Sequence, residues 1–249
     1  PGKFQATLYA LLDNQLPVEV LMEHHLSGKM NQYPLIVIPE CNYIEPSLLT
    51  ELRTYVQNGG NLLVIGTETS GIFVRELGIQ SANTSEEKVA FISAANRLGS
   101  IRSPLFEVKL GPESKAISNF YDGSDYVDKS KTIASSVRKF GKGKIAAIYF
   151  NAGSSYSQFK TPVIRDFIAE TIAQLSPEKM VEVSGSHLVH VALNKLNNKT
   201  YINLINVAGE HTNQSAIGYD QVPPLTDISV SIKGKPTKII LQPEAKELN

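Results

Sequence analysis

The chain has 249 residues, 42% hydrophobic and 19% charged, which is the composition of a globular protein with room for one large domain or two modest ones. Its 24 lysines and arginines equal its 24 aspartates and glutamates, so no basic surplus argues for nucleic acid or an anionic membrane as a partner. A single cysteine, Cys41, excludes an intrachain disulfide and a cysteine-rich zinc site, and no apolar run is long enough to cross a bilayer as a helix.

The first predicted element is a helix from Phe4 to Leu16, with Phe4, Leu8, Leu11 and Leu12 on one face and Asp13, Asn14 and Pro17 to end it. Val18 to Met22 reads as a strand, and Glu23-His24-His25-Leu26-Ser27-Gly28 as its exit loop. The chain opens Pro-Gly-Lys, without an initiator methionine or a signal peptide, and the strand that normally precedes the first helix of a doubly wound domain is missing. Both features point to a fragment of a longer protein. The compartment is therefore not legible, and a periplasmic or secreted location would follow only from a signal peptide on the parent.

Tyr33 to Gly66 is the unit around which the rest is organised. Leu35-Ile36-Val37-Ile38 is an unbroken apolar run, the pattern of a strand buried on both faces of a parallel sheet. Pro39 ends it, and Pro46 suits the first turn of a helix whose apolar stripe is Leu48, Leu49, Leu52, Tyr55 and Val56. Gly59-Gly60 supplies a left-handed stop, and Leu62 to Ile65 is a second buried strand. Such a β-α-β unit is right-handed with parallel strands, and open sheets of this kind bind ligands outside the carboxyl ends of their strands. The residues there are Glu40, Cys41 and Asn42 after the first strand, and Thr67 and Glu68, followed by Thr69 and Ser70, after the second.

Residues 67 to 131 are polar, with short apolar runs, and read as an insertion of loops, short helices and strands. Within it, the acid- and tyrosine-rich stretch from Asn119 to Asp128 lacks the ligand order of a calcium loop and reads as a solvated surface. Ile133 to Phe140, the turn Gly141-Lys142-Gly143, and Lys144 to Phe150 form a predicted hairpin, and Asn151 to Tyr156 a loop. Pro162 opens a helix carrying Val163, Ile164, Phe167, Ile168, Ile172 and Leu175, ended by Ser176-Pro177. From about Met180 the period turns from helical to alternating. Predicted strands at His187–Leu193, Tyr201–Val207, Ile228–Ile232 and Ile239–Leu241, with no helix among them, imply a small antiparallel sandwich. The boundary is expected near Ser176 to Lys179, giving an α/β part over residues 1–178 and a β-sandwich over 179–249.

Two stretches carry a resemblance. YPLIVIPEC followed by LLTELRTYVQNGGNLLVIG resembles the amidotransferase-like domain that follows the catalytic barrel in certain glycoside hydrolases, above all the trimerisation domain of family 42 β-galactosidases. FGKGKIAAIYFNAGSSY, PVIRDFIAETIAQLSP and HLVHVALNKLNNKTYINLINV resemble the end of that domain and the small β-domain behind it. The resemblance implies a flavodoxin-like, class I amidotransferase-like parallel sheet with a small C-terminal β-sandwich. It also implies an accessory or oligomerisation role beside an upstream catalytic barrel of the same chain, and homo-oligomerisation as an accompanying expectation.

The chemistry is weighed residue by residue. Amidotransferases place their nucleophilic cysteine on a glycine-flanked turn after a strand. Cys41 follows a strand but is flanked by Pro39-Glu40 and Asn42-Tyr43, and the next strand ends Ile65-Gly66-Thr67-Glu68, where a cysteine is expected and none occurs. A cysteine hydrolase or amidotransferase built on Cys41 is thus the rival to a non-catalytic fragment, with a small, partly buried apolar residue as its plain alternative. Glu40 and Glu68 could be the paired carboxylates of a glycosidase, yet no barrel accompanies them, and solvated loop acids or helix-terminus caps are the plainer account. His24-His25 and His187/His190 have strand spacings that point to opposite faces and so do not share a metal ion. Gly141-Lys142-Gly143-Lys144 lacks the length and hydroxyl of a phosphate loop. No cofactor is implied. A carbohydrate-binding β-domain is the third class, and the absence of tryptophan, with Tyr201 and Tyr219 the tyrosines there, weighs against it.

Overall fold

The computed structural model describes residues 2–126, 129–159, 161–175, 179–197, 199–209, 222–234 and 236–248. Its first element is helix α1 (Gly2–Asp13), which turns Ala6, Ala10 and Leu11 inward. Val18 to Met22, expected as a strand, forms no ladder among the described residues. Val18 packs against one core cluster and Leu21 against another, so the segment crosses between faces of the sheet and offers no edge to pair. The expected exit loop is a single-turn helix α2 (Glu23–Leu26), followed by a 3₁₀ turn at Met30–Gln32.

The predicted β-α-β unit is present. Strand β1 (Leu35–Ile38) leads through Pro39 to helix α3 (Pro46–Gln57) and then to strand β2 (Asn61–Ile65). The two strands are parallel, with Leu35 opposite Asn61 and Ile38 opposite Val64. The Gly59-Gly60 stop has a packing reason. A β-carbon on Gly60 would lie 2.2 Å from the Tyr55 ring. That ring seats its hydroxyl under the chain, donating to the Tyr33 carbonyl at 2.9 Å and accepting from the Asn61 N–H at 3.2 Å.

A short helix α4 (Thr67–Ile72) follows β2. The segment expected as a loop-rich insertion then supplies five strands: β3 (Ile79–Thr84), β4 (Lys88–Ala94), β5 (Arg97–Ser103), β6 (Phe106–Leu110) and β7 (Ser114–Tyr121). Of these, β4, β5 and β7 are woven into the main sheet. The predicted hairpin is strands β8 (Lys129–Phe140) and β9 (Gly143–Ile148). The seven-stranded order is β1-β2-β9-β8-β7-β4-β5. Strands β1, β2 and β9 are parallel, and each later neighbour is antiparallel. The sheet is therefore mixed. The parallel sheet expected from the unbroken apolar runs is confined to one end of it, because the alternating strands of residues 79 to 121 extend it the other way.

Both faces of the parallel end are covered. Leu63 and Ile65 of β2, with Ala146 and Ile148 of β9, face a cluster formed with α1 and with helices α5 (Ala152–Phe159) and α6 (Pro162–Ala173). Leu62 and Val64, with Ile145 and Ala147, face Leu48, Leu52, Tyr55 and Val56 of α3. Helix α5 occupies the stretch expected as a loop, where glycine and serine mask the helical period.

The C-terminal part contains strands β10 (Val181–Ser184), β11 (Val189–Leu196), β12 (Lys199–Asn206), β13 (Ser229–Ile232), β14 (Ile239–Leu241) and β15 (Lys246–Leu248). They pair as three separate antiparallel ladders, β10 with β13, β11 with β12, and β14 with β15. The first two share an apolar cluster of Val181, Val183, Val189 and Val191. The predicted strands are thus present as two-stranded ladders. Residues 176–178, where the boundary was expected, and Tyr219 lie outside the described residues.

Candidate functional site: the carboxyl ends of the parallel strands

Because β1, β2 and β9 are parallel neighbours, their carboxyl ends lie side by side. They deliver Glu40, the Gly66-Thr67 step and Asn151 to one place. Gly66 sits at φ +106°, and a β-carbon there would come within 2.8 Å of Glu40 Cγ and 3.2 Å of Asn151 Oδ1. The glycine is what lets the three strand ends meet.

Glu40 reaches across to the first turn of α5. Its Oε1 accepts the Ser154 N–H at 2.8 Å and its Oε2 accepts the Ser154 hydroxyl at 2.5 Å. A carboxylate at a helix N-terminus satisfies an orphan donor and complements the helix dipole. A β-carbon on Gly153 would lie 3.0 Å from Glu40 Oε1 and 2.3 Å from Thr7 Oγ1, so α1, α5 and the β1 exit loop close on one another here. Asn151 accepts the Thr67 N–H at 3.2 Å, and its own N–H donates to Ser103 Oγ at 2.9 Å.

Cys41 is tied to α4. Its backbone N–H donates to Thr69 Oγ1 at 2.8 Å, and that hydroxyl faces the carbonyls of Cys41 and Pro39 at 3.0 and 3.2 Å. The Cys41 sulfur is half-buried, 3.8 Å from the same hydroxyl. Burial pushes the thiol pKa above its ordinary 9.0, and the charges of Glu23 and Glu68 push it the same way, against hydrogen bonds from Thr69 and Tyr43. Among the described residues no histidine hydrogen-bonds to the sulfur, and Cys41 is not at positive φ.

Of the five sequence-predicted residues, Glu40, Cys41 and Thr67 are drawn into this knot, while Asn42 and Glu68 are exposed at its rim. The knot is completed by Thr69, Asn151 and Ser154. The only sequence signal for the last two was the Asn-Ala-Gly-Ser run after a buried strand, which is a helix-start pattern with asparagine at the cap. Arranged this way, Glu40, Thr69, Asn151 and Ser154 spend hydrogen bonds on one another and on neighbouring backbone, while the buried Ser70 and Ser155 hydroxyls have no hydrogen-bond partner among the described residues. The rings of His24 and His25 lie 4.0 Å apart, tilted by 50°, on α2, and His190 faces Asp13. Among the described residues no group of three or more His, Cys, Asp or Glu side chains is placed to hold a metal ion. No helix is long and apolar enough to cross a membrane.

This architecture is one found within glycoside hydrolases. A GH42 β-galactosidase from G. stearothermophilus matches it with a TM-score of 0.64 at 16% identity, over 98% of this chain and 33% of that one. α-L-Fucosidase isoenzyme 2 from Paenibacillus thiaminolyticus matches with a TM-score of 0.71 at 11% identity, over 98% of this chain and 41% of that one. A cytoplasmic protein from Salmonella typhimurium matches with a TM-score of 0.52 at 13% identity, over 70% of this chain and 87% of that one. The chain thus spans about a third of the length of the galactosidase, and at these identities the likeness is one of fold alone. No protein-family model and no curated protein matches the chain.

Proposed function

We propose that residues 1–249 are a non-catalytic accessory region of a larger glycoside-hydrolase-like protein acting on carbohydrate. The observation that carries this reading is the match of nearly the whole chain to one third of a β-galactosidase. The geometry of the strand ends supports it. Glu40 is spent on the first turn of α5, and burial pushes the Cys41 thiol pKa up, with no histidine hydrogen-bonded to the sulfur among the described residues. In this reading residues 1–178 form an amidotransferase-like body and 179–249 a β-domain. Together they pack against an upstream barrel and contribute to its assembly. The test has two arms. The isolated chain should turn over neither aryl glycosides nor glutamine, and deleting it from the parent should alter stability or oligomeric state while the barrel keeps its catalytic carboxylates. Turnover by the isolated chain would refute the reading, as would an open reading frame that starts within a few dozen residues of Pro1.

A second reading is favoured by one observation. The Salmonella protein carries a related fold over 87% of its own length, so the fold also occurs nearly alone. A stand-alone cysteine enzyme would use Cys41. Its thiol should then react with iodoacetamide at neutral pH faster than a free cysteine, whereas burial predicts slower reaction.

A further inference from the structure

Three contacts between the C-terminal segment and the α/β body gather at one turn of chain. Asp13, Asn14 and Gln15 end α1, and each holds a different piece of the following region. Asp13 Oδ1 lies 2.9 Å from His190 Nε2 of β11. The Asn14 carbonyl accepts Lys179 Nζ at 2.9 Å. Gln15 Nε2 donates to the Ser186 carbonyl at 2.8 Å. The turn itself is fixed to the body. Asp13 Oδ2 accepts the Tyr156 hydroxyl of α5 at 2.5 Å, and Asn14 Nδ2 donates to the Arg165 carbonyl of α6 at 2.8 Å and the Ala10 carbonyl at 2.9 Å. Gln15 is held at φ +58°.

The apolar packing runs differently. The valines of β10 and β11 form a cluster of their own, separate from the two clusters that cover the main sheet. Alternation along β11 puts Val189, Val191 and Leu193 toward that private cluster and His190, Ala192 and Asn194 on the opposite face. It is the histidine face that meets α1. Polar contacts between two separately cored parts exchange for water at little net cost, and relative motion is then the ordinary behaviour.

We propose that the β10–β13 region is a detachable unit, seated on the α/β body by a polar latch at Asp13–Gln15 whose pin is the Asp13–His190 contact. Opening the latch uncovers Asp13, Tyr156 and the His190 face of β11 without dismantling either core. This stands on the contacts above and not on the accessory reading, so it holds or fails whatever the parent protein does.

The test is amide hydrogen exchange on the full chain in wild type, His190→Ala, Asp13→Asn and the double variant. Asp13→Asn keeps a carbonyl oxygen for the Tyr156 hydroxyl, so it serves should His190→Ala prove poorly folded. Each single variant should speed exchange in β10–β13 by about tenfold, with β2 and β9 unchanged, and the double should go no further than the stronger single. Exchange that rises equally in β2, β9 and β11 would overturn the proposal, because the two parts would then open as one. Exchange unchanged throughout would overturn it as well.

Discussion

Strand β2 and strand β12 are both rich in leucine and isoleucine, yet they have opposite fates. In β2, Leu62 to Ile65 are each at most 1% exposed. In β12, Tyr201, Leu204 and Ile205 are 45, 44 and 50% exposed. The difference lies in what surrounds them. β2 has a strand on each side and helices on both faces, whereas among the described residues β12 pairs only with β11. Strand-forming side chains create a demand for cover, and only a layered sheet meets it on two faces. The C-terminal region, with four buried valines at its centre, has a small core of its own and many exposed apolar residues.

The comparison can be broken first in the body. Leu63 is fully buried in β2, so Leu63→Ala should lower stability by about 3 kcal/mol through lost burial and a residual cavity. The urea midpoint of the whole α/β body should fall, read as far-UV circular dichroism. Val191→Ala in the private cluster should cost about 2 kcal/mol, with the loss confined to exchange in β10–β13. A fall of the body's midpoint by the same amount would mean that the two regions unfold as one.

The strand-end knot ranks next. Glu40→Ala removes the partner of both Ser154 donors and should cost about 1.5 kcal/mol, with Glu40→Gln costing less because an oxygen acceptor remains. Thermal melts of the three proteins give the order. A neutral Glu40→Ala would show that the cap is not what holds α5 against β1.

Acid gives the smallest and most local effect. Burial works against the Asp13 carboxylate, but hydrogen bonds from His190 and Tyr156 outweigh it and hold the pKa below the ordinary 3.8. A carboxyl lowered on folding contributes stability that is complete above its unfolded value and fades as pH falls through the folded one. The Asp13 share of the latch should therefore be lost as pH falls below 3.8, and Asp13→Asn should lack that step. Exchange of β11 amides against pH reads both.

Much of the body was legible because its signals are local. Four apolar residues in a row announced β1 and likewise β2. Prolines at Pro46 and Pro162 with helical stripes announced α3 and α6, and Gly141-Lys142-Gly143 announced the β8–β9 turn. The carboxyl ends of the parallel strands were legible as a place, with Glu40, Cys41 and Thr67 among the residues lying there. Their outcome was not. Whether Glu40 meets substrate or caps α5 depends on where Ser154 lies, and those residues are far apart in sequence.

The sequence by itself determined the parallel β1-α3-β2 unit, the last helix and the alternating C-terminal strands, because periodicity and turn chemistry act over a few neighbouring residues. Only the tertiary structure decided that β4, β5 and β7 join the main sheet, that α5 forms across a glycine-serine run, and that Asp13 receives His190. Each of these depends on a partner far along the chain, and a strand's choice of neighbour or a carboxylate's choice of donor leaves no local period to read.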